Sequence, residues 1–445
     1  MSIVVGTVIG SGIFLVPKSM IVATGTPFSV MAVFLIGGLL SLAGALTYAE
    51  LGAALPHAGG EYVYLREAYG PLWGFVYGWT QFCVAKSGSI AALATAFFLY
   101  AANFFPTLDE MLFAIPLPLG PDGAPLGVTP GQLCAITLIL ALGVLNYFGV
   151  RLGGQVQTWT TVIKIGVILA IVFLAAVLGG GSTENLTSTV PHGGGVSGFF
   201  TALVAALWAY DGWNNINMAS GEVSNPQKNI PRALIYGVLL IACIYVAANL
   251  AYFYVLSAEE VAASDRVASE AARRFLGTAG GDVVAAAAMI SIFAALNGSI
   301  LTGARVPYAM ARDGYFLRSF AAVHPIYHTP HVSLLALSGW AALLVLSGKY
   351  EELFTYVIFA SWILYGMSAA TVFVLRRKRP DLARPYRTLG YPVVPLLFVV
   401  AAALLTVMTL RESPRESLTG LLLAAAGIPF YYWQVRQKGL DSGNV

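Results

Sequence analysis

Long apolar runs dominate the chain, and polar residues collect in short stretches between them. A helix needs about 20 apolar residues to cross a bilayer. Twelve runs reach or approach that length, at 2–23, 28–55, 71–102, 129–148, 155–180, 197–219, 232–257, 281–311, 332–347, 353–376, 391–411 and 416–436. The pattern predicts twelve helical spans and, because the number is even, both termini on one side. Several runs exceed the minimum, which implies tilt or extension past the bilayer.

Two spans are interrupted. The first, Ile3 to Met20, carries Gly10-Ser11-Gly12 at its centre. Glycine leaves a helix backbone free and exposed. Small residues there can serve close helix packing. They can also mark a break, which lipid tolerates only where the freed backbone meets protein, water or a ligand. A half-helix restarting after the break aims N–H groups and a positive dipole end at an anion such as a carboxylate. The sixth span reads Trp208-Ala209-Tyr210-Asp211-Gly212-Trp213-Asn214-Asn215. An acid at that depth faces a cavity or a polar partner. It can also cap the second half-helix, which is compatible with a break.

Breaks in spans one and six divide the chain into two five-span halves, 1–180 and 197–376, with two further spans in 391–436. Five is odd, so the second half is inverted relative to the first, and the binding site lies at the breaks. The fold class is an all-α polytopic membrane protein with a five-plus-five inverted repeat and helices 1 and 6 unwound at mid-membrane. The repeat is not visible as residue identity; the matching breaks carry it.

Composition agrees: 58% of residues are hydrophobic and 10% charged, against roughly a quarter charged in soluble domains. A net charge of +3, spread over loops, gives no footing for nucleic acid. With the N-terminus in the cytoplasm, fifteen Lys and Arg fall inside and seven outside, the bias expected of cytoplasmic loops. The chain is therefore expected in the inner (plasma) membrane with both termini cytoplasmic. The basic stretch 376–390 reads as a topological anchor attracted to anionic lipid. No cleavable signal peptide is expected, since the first run lacks a basic leader. Cys83, Cys134 and Cys243 lie in apolar runs and are expected as buried thiols without a disulfide. Loop 103–128, with Pro106, Pro116, Pro118, Pro121 and Pro125, is expected to be irregular, as is loop 181–196. Residues 258–261 and 269–275 are expected to form short surface helices.

The stretch Val5 to Phe14 resembles the first-helix motif of the amino acid–polyamine–organocation (APC) superfamily. Tyr48-Ala49-Glu50-Leu51, Pro56, Gly59 to Arg66 and Gly70 resemble its second-helix motif. Asn146-Tyr147, Val150-Arg151 and Gln157 to Lys164 narrow the resemblance to the L-type amino acid transporter group. Ala209 to Asn215, Gly221-Glu222, Asn225 to Ala233, Asn297-Gly298-Ser299, Arg305 and Tyr308 to Gly314 are also similar to it. The resemblance runs from helix 1 through helix 8. It implies the APC fold and sodium-independent amino acid transport, commonly exchange, by alternating access. Eukaryotic relatives join a glycoprotein through a cysteine in the loop between helices 3 and 4. Loop 103–128 has no cysteine, so no covalent ancillary subunit is expected, and the chain reads as a stand-alone prokaryotic member. The family has a cytoplasmic tail before helix 1; this chain starts almost inside that helix, so a short inner half-helix is expected.

The substrate-binding residues expected are Val8, Ile9, Gly10, Ser11, Gly12, Ile13, Trp208, Ala209, Tyr210, Asp211, Gly212, Asn214 and Tyr245. The amides of Gly10 to Ile13 and the Ser11 hydroxyl suit a carboxylate. Open carbonyls near Val8, Ile9, Trp208, Ala209 and Asp211 suit an ammonium. Trp208 matches a family aromatic that closes over substrate, or else packs in the core or against lipid. Tyr245 matches a family tyrosine facing unwound helix 1, or is a buried tyrosine bonded to a carbonyl. The resemblance places Lys164 between helices 1 and 8, its ammonium meeting carbonyls near Gly10 and a hydroxyl on Ser299 or Thr302, in place of sodium. Lys164 can also snorkel to the surface. Lys86 lines the cavity or snorkels, and is left out of the site.

A proton-coupled amino acid or polyamine symporter of the same fold is the alternative. A membrane enzyme is remote, because all five histidines fall in loops and Asp211 is the one strongly placed intramembrane acid. A channel lacks its ring of repeated charges. No cofactor or metal is expected.

Overall fold

The computed structural model describes residues 1–115, 126–178, 180–191, 194–347, 350–412 and 414–442. Pro116, Pro118, Pro121, Pro125, His192 and Lys349 lie outside them.

The first run folds as α1 (Ser2–Val8) and α2 (Gly12–Thr24), bent 42° at the glycine break. Gly25, at φ 78°, ends α2, and Thr26 caps α3 (Pro27–Ala54) through the Ser29 amide at 3.2 Å. A short helix, α4 (Glu61–Tyr69), separates α3 from α5 (Pro71–Thr80), which continues through a π turn at Gln81–Ala85 into α6 (Lys86–Ala101). Then follow α7 (Pro130–Tyr147), opened by a Thr129–Gln132 capping box, and α8 (Val150–Leu178). The sixth run splits into α9 (Gly195–Tyr210) and a single turn, α10 (Asn215–Met218). Asp211 leaves the helix at ψ 147° and Gly212 takes φ 97°, a region that favours glycine. The rest comprises α11 (Pro226–Val255), α12 (Ala258–Ala263), α13 (Val267–Gly303), α14 (Arg305–Arg312), α15 (His331–Leu344), α16 (Tyr350–Lys378), α17 (Val393–Glu412), α18 (Pro414–Ala425) and α19 (Gly427–Ser442).

Each expected run is helical among the described residues. Among the described residues, eight helices are long and apolar enough to cross a membrane, nine if the bent α1–α2 pair counts as one. Helices α9 and α15 are apolar but shorter, at 16 and 14 residues. Loop 103–128 is not wholly irregular: Phe113–Ile115 pairs antiparallel with Leu126–Val128. Residues 269–275 lie in a short helix of their own, which Gly277, at φ 69° and ψ −165°, separates from the long span that follows within α13. The cysteines are free, but Cys243 is exposed and the other two only partly covered; position 243 faces outward from α11.

The two broken segments pack on each other, α2 against α9, and α3 lies along α11. Helix α13 packs on both α6 and α8, and α7 on α15. Gly12 makes the first contact possible: a Cβ there would stand 2.4 Å from Ala209 Cα. The breaks therefore meet at the centre of the bundle, enclosed by α6, α11 and α13.

Candidate functional site

Helix α1 ends at Ile9, whose ψ of 89° is not helical, and α2 restarts at Gly12. The first amides of α2 have no intrahelical carbonyl to reach. Opposite them, α9 ends at Asp211. The Thr7 hydroxyl has one hydrogen to give and lies 2.7 Å from Ile3 O, within α1, and 3.0 Å from Gly212 O, at the second break. A cavity of about 20 Å3 remains between the two breaks, room for about one water molecule. Val8, Gly10, Ser11, Gly12, Trp208, Asp211, Gly212 and Ser299 line it. Thr7 lines it too, as do Ser89 and Leu93 of α6. Those three were not read from the sequence; small and polar residues at helical spacing on one face of span three are the signal that could have found Ser89.

Other expected residues sit elsewhere. Ile13 and Ala209 are core residues behind the lining. Tyr210 points away, its ring against Phe34 and Tyr245. Asn214 is not among the residues lining the cavity and donates its amide to Glu61 Oε1. Four of the five carbonyls expected to stand open, those of Val8, Ile9, Trp208 and Ala209, have at least one partner already. Ile9 O accepts from Lys164 Nζ at 2.5 Å and from the Ser291 hydroxyl at 3.0 Å. Trp208 O accepts from the Asp211 amide at 3.0 Å. The Tyr245 hydroxyl lies 3.0 Å from Val8 O and 2.8 Å from Ala209 O. Tyr245 is thus a buried tyrosine bonded to carbonyls, and one of them belongs to unwound helix 1.

Lys164 does not snorkel. It is 1% exposed and also donates to Gly6 O at 2.7 Å and Ser291 O at 3.3 Å. The expected hydroxyl partners are corrected. The α13 residue level with Ile9 is Ser291, eight positions before Ser299; Thr302 bonds back to Gly298 O within its own helix. At 1.5 Å per residue those eight positions displace the contact by about 12 Å.

Lys86 is also buried, and its Nζ donates to Asn215 Oδ1 at 2.7 Å. Asp211 accepts from the Tyr365 hydroxyl at 2.9 Å rather than capping α10. Neighbouring asparagines at the start of α10 thus hold two buried ionisable groups: Asn215 takes Lys86, and Asn214 takes Glu61. Burial pushes the Glu61 carboxyl up to about 7, against the Asn214 amide and the nearby Lys86 ammonium, which pull it down. Among the described residues Glu61 Oε2 has no hydrogen-bond partner. Glu50 makes the contrast: Arg376 grips both its oxygens at 2.9 and 2.6 Å, and the Thr388 amide adds a bond at 2.7 Å. Toward the same end, Arg66 and the Tyr62 hydroxyl meet Asp313, and Arg305 meets Glu222. At the opposite end Lys18 meets Asp265.

No three His, Cys, Asp or Glu side chains among the described residues are grouped to hold a metal ion. The donors and acceptors gathered at the breaks are those of a small zwitterion's partners: helix-start amides, carbonyls and one carboxylate.

A family model for amino acid permeases matches residues 1–430. The serine/threonine exchanger of Bacillus subtilis (strain 168) is 32% identical over 441 residues, 98% of this chain and 96% of that protein. The human b(0,+)-type amino acid transporter 1 is 32% identical over 447 residues, 98% of this chain and 87% of that one. The human cystine/glutamate transporter is 30% identical over 438 residues, covering 97% and 83%.

Proposed function

The chain belongs to the amino acid permease family, and from that premise we propose that it is a sodium-independent amino acid exchanger working by alternating access. The observation that carries the reading is the meeting of two helix breaks around one small polar cavity. There the substrate carboxylate takes the amides of Gly10 to Ile13 and the Ser11 hydroxyl, and its ammonium takes carbonyls flanking the breaks and Asp211. Trp208 closes the cavity. With room for about one water, the site must open before an amino acid enters, and the ion pairs at each end are the contacts that part.

In this reading residues 1–180 and 197–376 are inverted halves and 391–436 supply spans eleven and twelve. The packing of α2 on α9, α3 on α11 and α6 on α13, each span against its counterpart, supports it. The lysine and arginine bias supports an inner-membrane protein with both termini in the cytoplasm. Lys164 supplies a fixed positive charge between helices 1 and 8, which repels sodium. Without a loop cysteine, the chain works without a covalent partner.

Counterflow in proteoliposomes tests this. Labelled serine, threonine, cystine and glutamate, the amino acids named for the relatives, form the first panel. Uptake driven by internal unlabelled amino acid without sodium is expected. Uptake that requires a sodium gradient, or none with internal substrate, overturns the proposal. The proton-coupled alternative has one support, the buried Glu61 carboxyl, and it predicts uptake into empty vesicles driven by a pH gradient.

A further inference from the structure

The outward face of α5, α16 and α17 carries an apolar groove of about 600 Å3, within the size range of ligand sites. Small residues make the hollow. Gly366 lets α16 approach α17 so closely that a Cβ there would meet Ala402 Cβ at 2.9 Å, and Ala370 and Ala403 line the space beside it. Trp73, 44% exposed, stands at its α4 end, as aromatic residues do at a membrane interface. Tyr69 closes that side by donating its hydroxyl to Met367 O at 3.3 Å.

The mouth is basic. Lys378 Nζ donates to Ala68 O at 2.9 Å, one residue from Tyr69. On α16, positions 363, 366, 370 and 377 share a face, so Arg377 continues the groove's own stripe about 10 Å past Ala370. Nearby cations are mostly spoken for: Glu50 takes Arg376 and Arg384, and Glu67 takes Arg379. Among the described residues no carboxylate lies within ion-pair distance of Arg377 or Lys378. Both are exposed.

We propose that this groove is a binding site for one anionic phospholipid, an acyl chain lying between α5, α16 and α17 and the phosphate held by Arg377 and Lys378. A second copy of the chain would leave those two cations facing each other or lipid. A zwitterionic lipid carries its own counter-charge and leaves them unneutralised.

Native mass spectrometry of the full chain, released from neutral detergent, tests the site with three probes at equal concentration: phosphatidylglycerol, phosphatidylcholine and soluble glycerol 3-phosphate. Phosphatidylglycerol is expected to be retained at least tenfold more tightly than phosphatidylcholine, with no retention of glycerol 3-phosphate. In the Arg377→Gln/Lys378→Gln variant the preference should fall by about fivefold per cation removed. Ala403→Trp, which fills the groove from its exposed side, should lower retention of both lipids. Equal retention of the two lipids overturns the proposal. So does retention of glycerol 3-phosphate alone, an unchanged preference in the double variant, or a dimer that excludes lipid. Melting temperature and counterflow of both variants serve as fold controls, and neither substitution touches the cavity at the helix breaks.

Discussion

Replacing Glu61 by glutamine tests whether this buried carboxyl is held in its protonated form. The amide keeps the oxygen that accepts from Asn214 and removes the titration. An ordinary glutamate titrates near 4.5, and burial raises Glu61 to about 7. At about 1.4 kcal/mol per pH unit, that gap is worth about 3 kcal/mol. The sign follows from proton counts. Between those two values the native protein keeps the Glu61 proton and the unfolded chain has lost it, so stability falls as pH rises through the window. Below it both states are protonated; above about 7 both are ionised and the full cost is borne. Glutamine carries no such dependence. The assay is thermal melting of purified wild type and Glu61→Gln from pH 5 to pH 8.5, reading the gap between them so that other titrating groups cancel. From pH 5 to pH 8.5 the variant should gain on the wild type by about 2.5 kcal/mol, the part of the gap that opens above pH 5. A gap of the same size at both ends would refute the assignment of the proton to Glu61.

Other outcomes follow from the breaks. Lys164→Ala takes the donor from Gly6 O and Ser291 O and leaves Ile9 O with the Ser291 hydroxyl alone, which should cost about 2 kcal/mol of stability and slow exchange; added sodium in the vesicle assay should not rescue it. Trp208→Ala should leave the melting temperature within a few degrees while reducing counterflow more than substrate binding, and wild-type rates in that variant would return Trp208 to a packing role. Gly12→Val must push α2 away from Ala209, whose Cα stands 2.4 Å from the position of its Cβ; loss of binding in a scintillation proximity assay is expected, and retained affinity would count against the site.

How much of this was legible depends on what each residue's position requires. The breaks were visible because glycine and a mid-membrane acid are local signals, needing no partner to be read. The direction of Asn214 was not. Helical periodicity assigns faces only along an unbroken helix, and residues 211–214 interrupt the phase between α9 and α10. The lysines show the same limit differently. Lys86 and Lys164 were conspicuous in apolar runs, yet the partners that settle snorkelling against burial are Asn215, 129 positions away, and Gly6 and Ile9, 158 and 155 away. Choosing Ser291 over Ser299 required the axial register of α13 against α1, which no pattern along one chain contains. Glu61 was quoted within a motif and given no role, since a polar loop residue gives no sign that folding will bury it.

The hydroxyl of Tyr245 has one proton and two claimants, Val8 O at 3.0 Å and Ala209 O at 2.8 Å. A phenol donates one hydrogen, so at any instant one broken helix holds it and the other has a weaker contact. The two halves of the site are in competition for a single scarce donor. An ammonium group brings three. Placed between the breaks, it ends the competition by supplying both carbonyls at once, and a substrate stripped of its amine, such as the matching hydroxy acid, leaves the shortage as it was.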